Sequence, residues 1–239
     1  MFLFDLTLET PAENVALDEA LLEQAEASDK TWECLRLWES TRPMVVVGRS
    51  SQASVEVDLD VCRRREIAVL RRASGGAAIV AARGCLMYAL VLSYRARPEL
   101  RSLDVAHRFV LESMLAALRQ FVPGIARRGT SDLAIDELKF SGNSVRCKRN
   151  TLLYHGTILY DFDLALIGEL LRMPPRQPDY RQGRPHQAFV TNLPASRTAI
   201  REALVAKWRA QATTTDLPRE RLRELVERRY DKDEWNFQR

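Results

Sequence analysis

Histidine is scarce in this chain, at 3 of 239 residues, and so is cysteine, at 4. Cys34, Cys62, Cys85 and Cys147 stand far apart and form no CxxC pair, so the spacing of a zinc site is missing. Nothing secretory accompanies them, and free thiols in a reducing cytoplasm are the simple expectation. No apolar run approaches the roughly 18 residues of a membrane-spanning helix. The opening MFLFDLTLETPAENVALDEALL has no basic flank before its acids; it reads as a strand and then a helix, not a signal peptide. Charge of one sign is lacking too. Lys plus Arg number 36 against 32 Asp plus Glu, for a net +4. That bias is too weak to argue for nucleic acid, and the basic residues are not interleaved with aromatics. Neither a Walker A loop nor a GxGxxG stretch occurs. No Ser-His-Asp grouping, paired-carboxylate motif or metal signature stands out along the chain.

Apolar residues make up 46%, enough to bury a real core and to exclude disorder. Pro11 opens a helix over 11–26, with Val15, Leu17, Leu21 and Leu22 at helical spacing. Strands are predicted at 34–38, 44–48, 68–72, 77–80 and 85–94, with a short helix at 55–66. A helix over 104–121 follows, then strands at 133–140 and 152–160. Helices at 164–171, 197–211 and 218–229 complete the pattern, with a Pro- and Arg-rich loop over 173–194. Regular βαβ alternation is absent. The expected fold is α/β of the α+β type: one domain over 1–239 with a mixed, largely antiparallel sheet flanked by helices.

Three stretches can carry chemistry. In VLRRASGGAAIV, residues 69–80, a strand delivers two arginines into a Ser-Gly-Gly turn. Glycines permit close backbone approach, adjacent N–H groups can cradle an anion, and arginine neutralises phosphate. An ordinary hairpin turn with solvent-facing arginines fits these residues equally well. In IDELKFSGNSVRCKRNTLLYHGT, residues 135–157, Lys139 precedes a small polar turn, Ser141-Gly142-Asn143, followed by Arg146, Lys148 and Arg149. Lysine is a point charge suited to phosphates and carboxylates. By composition alone, however, Lys139 is a lysine on the wet side of a strand, and the basic run is a solvated loop. His155 fits an acid–base role or a structural one. In the 173–194 loop, Arg181, Arg184 and His186 either meet a ligand or pin the loop. Cys147, set among cations, is the more ambiguous thiol; Cys85 reads as buried.

Taken in order, these stretches resemble the lipoate–protein ligase A family, in the biotin/lipoate ligase and octanoyltransferase superfamily. PAENVALDEALL resembles its first helix, VVVGRSSQASVEVD its Gly-Arg segment and LRRASGGAA its glycine-rich loop. SDLAIDELKFSGNS resembles its lysine motif and LLYHGTILYDFDLALIGELLRMP its His-Gly-Thr segment; VTNL and DEWNF also have counterparts. The resemblance implies ATP-dependent activation of lipoate to lipoyl-adenylate. The acyl group then passes to a lysine of a lipoyl-carrier domain, an E2 subunit or the glycine-cleavage H protein. Carried over residue by residue, Arg72 and the backbone of Ala77, Ala78, Ile79 and Val80 hold the nucleotide, on a loop shaped by Ser74, Gly75 and Gly76. Lys139 bridges the acyl carboxylate and the phosphate, with Asp132 near the adenylate. Ser141, Gly142, His155, Gly156 and Thr157 line the acyl pocket. ATP, Mg2+ and lipoate are the implied small molecules, with no protein metal ligands, no membrane and no nucleic acid.

This sequence departs from the family loop at Ala77, where a third glycine is usual, and at Ala81-Ala82, where the family has His-Asp; Gly84 is kept. The small C-terminal domain of two-domain ligases is expected to be missing, its part supplied by a separate accessory subunit. Two alternatives stay open. One is an ATP-independent octanoyl or lipoyl transferase, whose cysteine would fall near Gly129-Thr130. The other is a carrier-domain binder without activation chemistry.

Overall fold

The computed structural model describes residues 1–212 and 217–238. Strand β1 (Phe2–Asp5) leads into helix α1 (Pro11–Ala27). The Thr10 side chain accepts from Glu13 N–H at 3.2 Å, and the Glu13 carboxylate accepts from Thr10 N–H at 2.9 Å. With Pro11 in the first turn, this reciprocal cap fixes where the helix begins. Strands β2 (Cys34–Glu39) and β3 (Met44–Val47) follow, then helices α2 (Ala53–Glu56) and α3 (Leu59–Arg64). The single helix predicted over 55–66 is therefore two. Asp58 divides it by accepting from Val61 N–H at 3.0 Å and capping the second.

Strands β4 (Ala68–Arg71), β5 (Ile79–Ala81) and β6 (Cys85–Ser93) come next, then helix α4 (Leu103–Leu118). Strands β7 (Ile125–Arg128), β8 (Asp132–Ile135), β9 (Leu138–Cys147) and β10 (Thr151–Leu159) form an antiparallel run. Helices α5 (Ala165–Leu170) and α6 (Arg197–Trp208), the short strand β11 (Gln211–Ala212), and helices α7 (Arg219–Leu225) and α8 (Asp233–Asn236) complete the described chain. No helix among the described residues is long and apolar enough to cross a membrane.

Eight strands form one sheet in the order β11-β1-β2-β6-β10-β9-β8-β7, and three form a second in the order β4-β3-β5. In the large sheet β1 pairs in parallel with β2 and β11, and the remaining pairs are antiparallel. The expected mixed, largely antiparallel sheet flanked by helices is what forms. β6 explains why CLMYALVLS shows no polar alternation. Its Cys85, Met87, Ala89 and Val91 enter the core shared with α1 and the small sheet. Its Leu86, Tyr88, Leu90 and Leu92 enter the core beneath α4 and α6. A strand covered on both faces reads as a continuous apolar run.

β10 alternates in the same way. Leu152, Tyr154 and Ile158 face α4, whereas Leu153 and Leu159 face α1. Period two therefore sets His155 and Thr157 on the α1 side. The predicted turn at Ser141-Gly142-Asn143 is not a turn. β9 runs straight through it in register with β10, Asn143 opposite Gly156 and Ser144 opposite His155. The reversal comes later, between Cys147 and Thr151. Pairing of Ser141 and Gly142 with β8 and of Asn143 with β10 overrides the local turn preference of Ser-Gly-Asn. β7, an edge strand rich in arginine, had no apolar pattern to announce it.

Candidate active site

Lys139 lies near the start of β9, and two segments hold its backbone. It faces Ala134 of β8, its N–H donates to Phe189 O at 2.9 Å, and its carbonyl accepts from Thr191 N–H at 2.9 Å. The long loop after α5 thus clamps the lysine from outside the sheet. The side chain then folds across Gly142: a Cβ there would lie 2.8 Å from both Cε and Nζ of Lys139. Glycine is required for that path. Lys139 Nζ ends 2.8 Å from Asp132 Oδ1, and Tyr180 O–H donates to the other Asp132 oxygen at 2.8 Å. Burial, reinforced by the Asp132 charge, pushes the Tyr180 phenol far up, so it stays a donor.

Two cavities meet at this lysine. One, of about 420 Å³, has an apolar wall of Val15, Trp38, Val46 and Met87. The other, of about 140 Å³, is bordered by Glu56, Arg172, Arg181, His186 and Phe189. Lys139, Gly142, Thr157 and Arg176 border both. An apolar slot that ends at a fixed ammonium suits a fatty or thio-aliphatic acid, with its carboxylate at the lysine. Gly156, which borders the larger cavity, lets β9 pack closely, since a Cβ on it would lie 2.0 Å from Asn143 Oδ1 and 2.7 Å from Gly142 O.

The glycine-rich loop forms the wall between the cavities. Its carbonyls are turned inward and occupied. Ser74 O accepts from Arg49 N–H at 2.8 Å, and Gly76 O from the Ser51 hydroxyl at 2.9 Å. Gly75 O accepts from Arg72 Nη2 at 2.5 Å and from the Ser144 hydroxyl at 2.8 Å, and Ala77 O from Arg72 Nη2 at 3.0 Å. The N–H groups of Gly75, Gly76 and Ala77 have no acceptor among the described residues. Three consecutive unspent amides are a ready anion cradle. The next amide, Ala78 N–H, is taken by Glu56 Oε2 at 2.7 Å.

Arg72 therefore builds the loop more than it faces a ligand. Its remaining Nη1 donates to Val46 O at 3.1 Å, and burial pulls its guanidinium down to about 10. Arg71, fully buried, serves a similar structural end. It donates to Gly48 O at 2.6 Å and Ser51 O at 2.7 Å, and to Asn236 O at 3.0 Å, tying DEWNF to the Gly-Arg segment.

Of the site residues expected from sequence, all border one cavity or the other except Ser74 and Gly75 of the loop itself. Asp132, His155, Gly156, Arg72 and Gly76 border the larger cavity, and Val80 and Ser141 the smaller. Ala77, Ala78 and Ile79 border both. The sequence reading missed a buried grouping. Ser74 Oγ is 2.6 Å from His155 Nε2, and His155 Nδ1 is 2.9 Å from Asp18 Oδ2. Asp18 Oδ1 accepts in turn from Arg36 Nη1 at 2.6 Å. Burial alone would raise the Asp18 carboxyl, but the Arg36 charge and the His155 hydrogen bond outweigh it and hold it below its usual range.

In the loop over 173–194, Arg181, Arg184 and His186 are all engaged within the protein, and Arg181 and His186 also border the smaller cavity. Arg181 is buried, stacks on Phe189 with 4.7 Å to the ring centroid, and donates to Arg184 O at 3.0 Å. Arg184 donates to Glu137 O at 3.0 Å, and His186 Nε2 lies 3.1 Å from Arg172 O. These residues pin the loop. Arg176 does not: it borders both cavities, and its guanidinium makes no hydrogen bond or ion pair among the described residues. The basic run lies elsewhere, with Lys148 bound to Glu23 at 3.2 Å. No cysteine borders either cavity. Cys34, Cys62 and Cys85 are buried, and Cys147 is exposed at the far end of β9. Burial raises the first three thiols above their ordinary value, Cys34 and Cys85 the most, which disfavours thiolate.

Comparison with known proteins shows the family and the fold. Residues 10–209 match the family described as lipoyl protein ligase A/B catalytic domain. The octanoyltransferase LipM of Geobacillus kaustophilus is 25% identical over 96% of this chain and 95% of its own. Subunit 1 of the lipoate-protein ligase A of Thermoplasma acidophilum is 26% identical over 97% of this chain and 95% of its own. Among solved structures, the Thermoplasma acidophilum bi-partite lipoate protein ligase, described with its E2 lipoyl domain, superposes with a TM-score of 0.80 at 24% identity. That match covers 99% of this chain and 96% of the other. A lipoate-protein ligase A bound with ATP superposes with a TM-score of 0.81 at 24% identity, covering 99% of both chains.

Proposed function

This chain belongs to the lipoyl protein ligase A/B catalytic-domain family, and within it we propose an ATP-dependent ligase. Its substrate is a lipoate-class acid, activated as the acyl-adenylate and passed to a lysine of a lipoyl-carrier domain. One observation carries this reading: Lys139 Nζ stands where two cavities meet, the larger with an apolar wall, while no thiol borders either. The larger cavity takes the acyl chain, and its carboxylate reaches the junction. The unspent amides of Gly75, Gly76 and Ala77, with Arg176, face the phosphates. The carboxylate oxygen attacks the α-phosphorus and pyrophosphate leaves. Charge builds where two anionic groups are brought together, and Lys139, preorganised on Asp132, stabilises it there. Transfer then needs only an aligned, neutral acceptor amine.

Mg2+ enters as the counter-ion of the nucleotide. Among the described residues no three His, Cys, Asp or Glu side chains converge on a metal position, and no step is assigned to it. Ala77, Ala81 and Ala82 in the loop do not weaken this reading: alanine keeps its N–H, and Ala81 and Ala82 are buried apolar packing. The Thermoplasma relative, itself a subunit of a bi-partite ligase, supports a separate accessory subunit and a lipoyl-domain acceptor.

Two variants separate ligase from transferase. Cys147→Ser is expected to leave acyl transfer within about twofold of the wild type, since a surface change far from the cavities costs little. Loss of activity would show a thioester route after all. Arg176→Ala is expected to weaken ATP binding about 10- to 100-fold by calorimetry, because a charge-assisted contact to phosphate is removed. Binding of the acid should not change; an unchanged ATP affinity would remove Arg176 from the nucleotide site.

A further inference from the structure

Ser74, His155 and Asp18 have the connectivity of a nucleophile–base–orienter triad. Yet Ser74 is 1% exposed, borders neither cavity, and its oxygen receives Arg72 Nε at 3.1 Å. It is badly placed to attack a substrate and well placed to hold the loop. We propose that Asp18, acting through His155, sets the direction of the Ser74 hydroxyl and so presents the Gly75–Ala77 amides as an anion cradle. Asp18 and His155 are then positioning residues for phosphate. The phosphate part rests on the nucleotide site of the ligase reading; the histidine part stands on geometry alone.

The donors and acceptors can be followed atom by atom. Asp18 is ionised, with Oδ1 occupied by Arg36 Nη1 at 2.6 Å. Its Oδ2 can only accept, so His155 Nδ1 carries the proton across the 2.9 Å contact. In the neutral ring Nε2 is then an acceptor, and the Ser74 hydroxyl donates to it across 2.6 Å. With its proton committed, Ser74 Oγ turns its lone pairs to Arg72 Nε. That contact steers the guanidinium, whose Nη2 grips Gly75 O at 2.5 Å and Ala77 O at 3.0 Å. Carbonyls drawn inward leave the three amides facing outward. Arg36, itself held by Asn14 O at 2.6 Å and Asn14 Oδ1 at 2.9 Å, anchors the chain in the core. Four separate parts of the fold meet here: α1, β2, β10 and the glycine-rich loop.

The choice of tautomer gives the test. In Asp18→Asn the side-chain oxygen stays on Arg36 and the amide nitrogen turns to His155, donating to Nδ1. The ring proton must move to Nε2, where it meets an oxygen that already receives Arg72. Nitrogen NMR distinguishes the two tautomers, and with 3 histidines in the chain the assignment needs few variants. The expected result is Nδ1–H in the wild type and Nε2–H in Asp18→Asn. Inorganic pyrophosphate, titrated by calorimetry, is expected to bind about tenfold more weakly to both Asp18→Asn and Ser74→Ala. Should Asp18→Asn fail to fold, the wild-type tautomer and Ser74→Ala, which keeps the Asp18–Arg36 pair, decide alone. A wild-type His155 protonated at Nε2, or Ser74→Ala binding pyrophosphate as tightly as wild type, overturns the proposal. So does a wild type that binds no pyrophosphate. A protein that passes these tests yet shows no lipoate-dependent use of ATP refutes the ligase reading and leaves this one standing.

Discussion

Replacing Lys139 with alanine is expected to lower lipoate-dependent ATP–pyrophosphate exchange by about 10²- to 10³-fold, the loss typical of removing one preorganised donor from a developing charge. The fold should persist. Asp132 keeps the Tyr180 O–H at 2.8 Å, and the backbone ties of residue 139 to Phe189 and Thr191 do not involve its side chain. The thermal midpoint is the control, and it should hardly move. Its role is to set a point charge at the junction, so Lys139→Arg is not expected to restore activity: the longer planar guanidinium does not place its charge where Lys139 Nζ sits, over Gly142 and 2.8 Å from Asp132 Oδ1. Exchange at the wild-type rate in Lys139→Ala would contradict the site.

The second large effect is on stability. Asp18→Ala leaves the Arg36 guanidinium fully buried without its carboxylate. Removing one member of a buried ion pair costs about 3–5 kcal/mol, because the remaining charge stays out of water. Arg36 keeps its Asn14 contacts and its place over the Trp38 ring, 4.9 Å from the centroid, which argues for the lower end of that range. Denaturant titration measures it as a lower midpoint. The pH dependence has a definite sign. The folded Asp18 carboxyl lies below the ordinary value of 3.8, so its contribution is present above that pH. The contribution is lost as pH falls from there through the folded value. Wild type should lose this part of its stability on acidification, and Asp18→Ala should not. Equal acid sensitivity in the two proteins would contradict an ionised Asp18.

Lys139 was legible because short motifs on either side of it recur in a fixed order, and the strands they sit on are contiguous in sequence. The Ser74–His155–Asp18 grouping was not. Its members lie 81 and 137 positions apart, and no local signal marks one aspartate of a helix rich in acids as the partner of a histidine on a distant strand. Ser141-Gly142-Asn143 misled for a different reason. Its turn propensity is real, but pairing with β8 and β10 and the lysine lying over Gly142 explain those residues better. Arg72 was placed at the nucleotide by the family resemblance. Its guanidinium proves to be occupied by loop carbonyls, and only the fold could show that Arg176 is the unengaged cation at the junction.

The mass of a lipoyl-carrier domain after incubation tests the central claim most directly. With this protein, any accessory subunit, lipoate and ATP–Mg2+, the carrier should gain one lipoyl group. With an octanoyl thioester donor and no ATP, its mass should not change. A shift only in the second mixture would contradict the ligase account and identify a transferase; no shift in either would leave a carrier-binding protein without the chemistry proposed for Lys139.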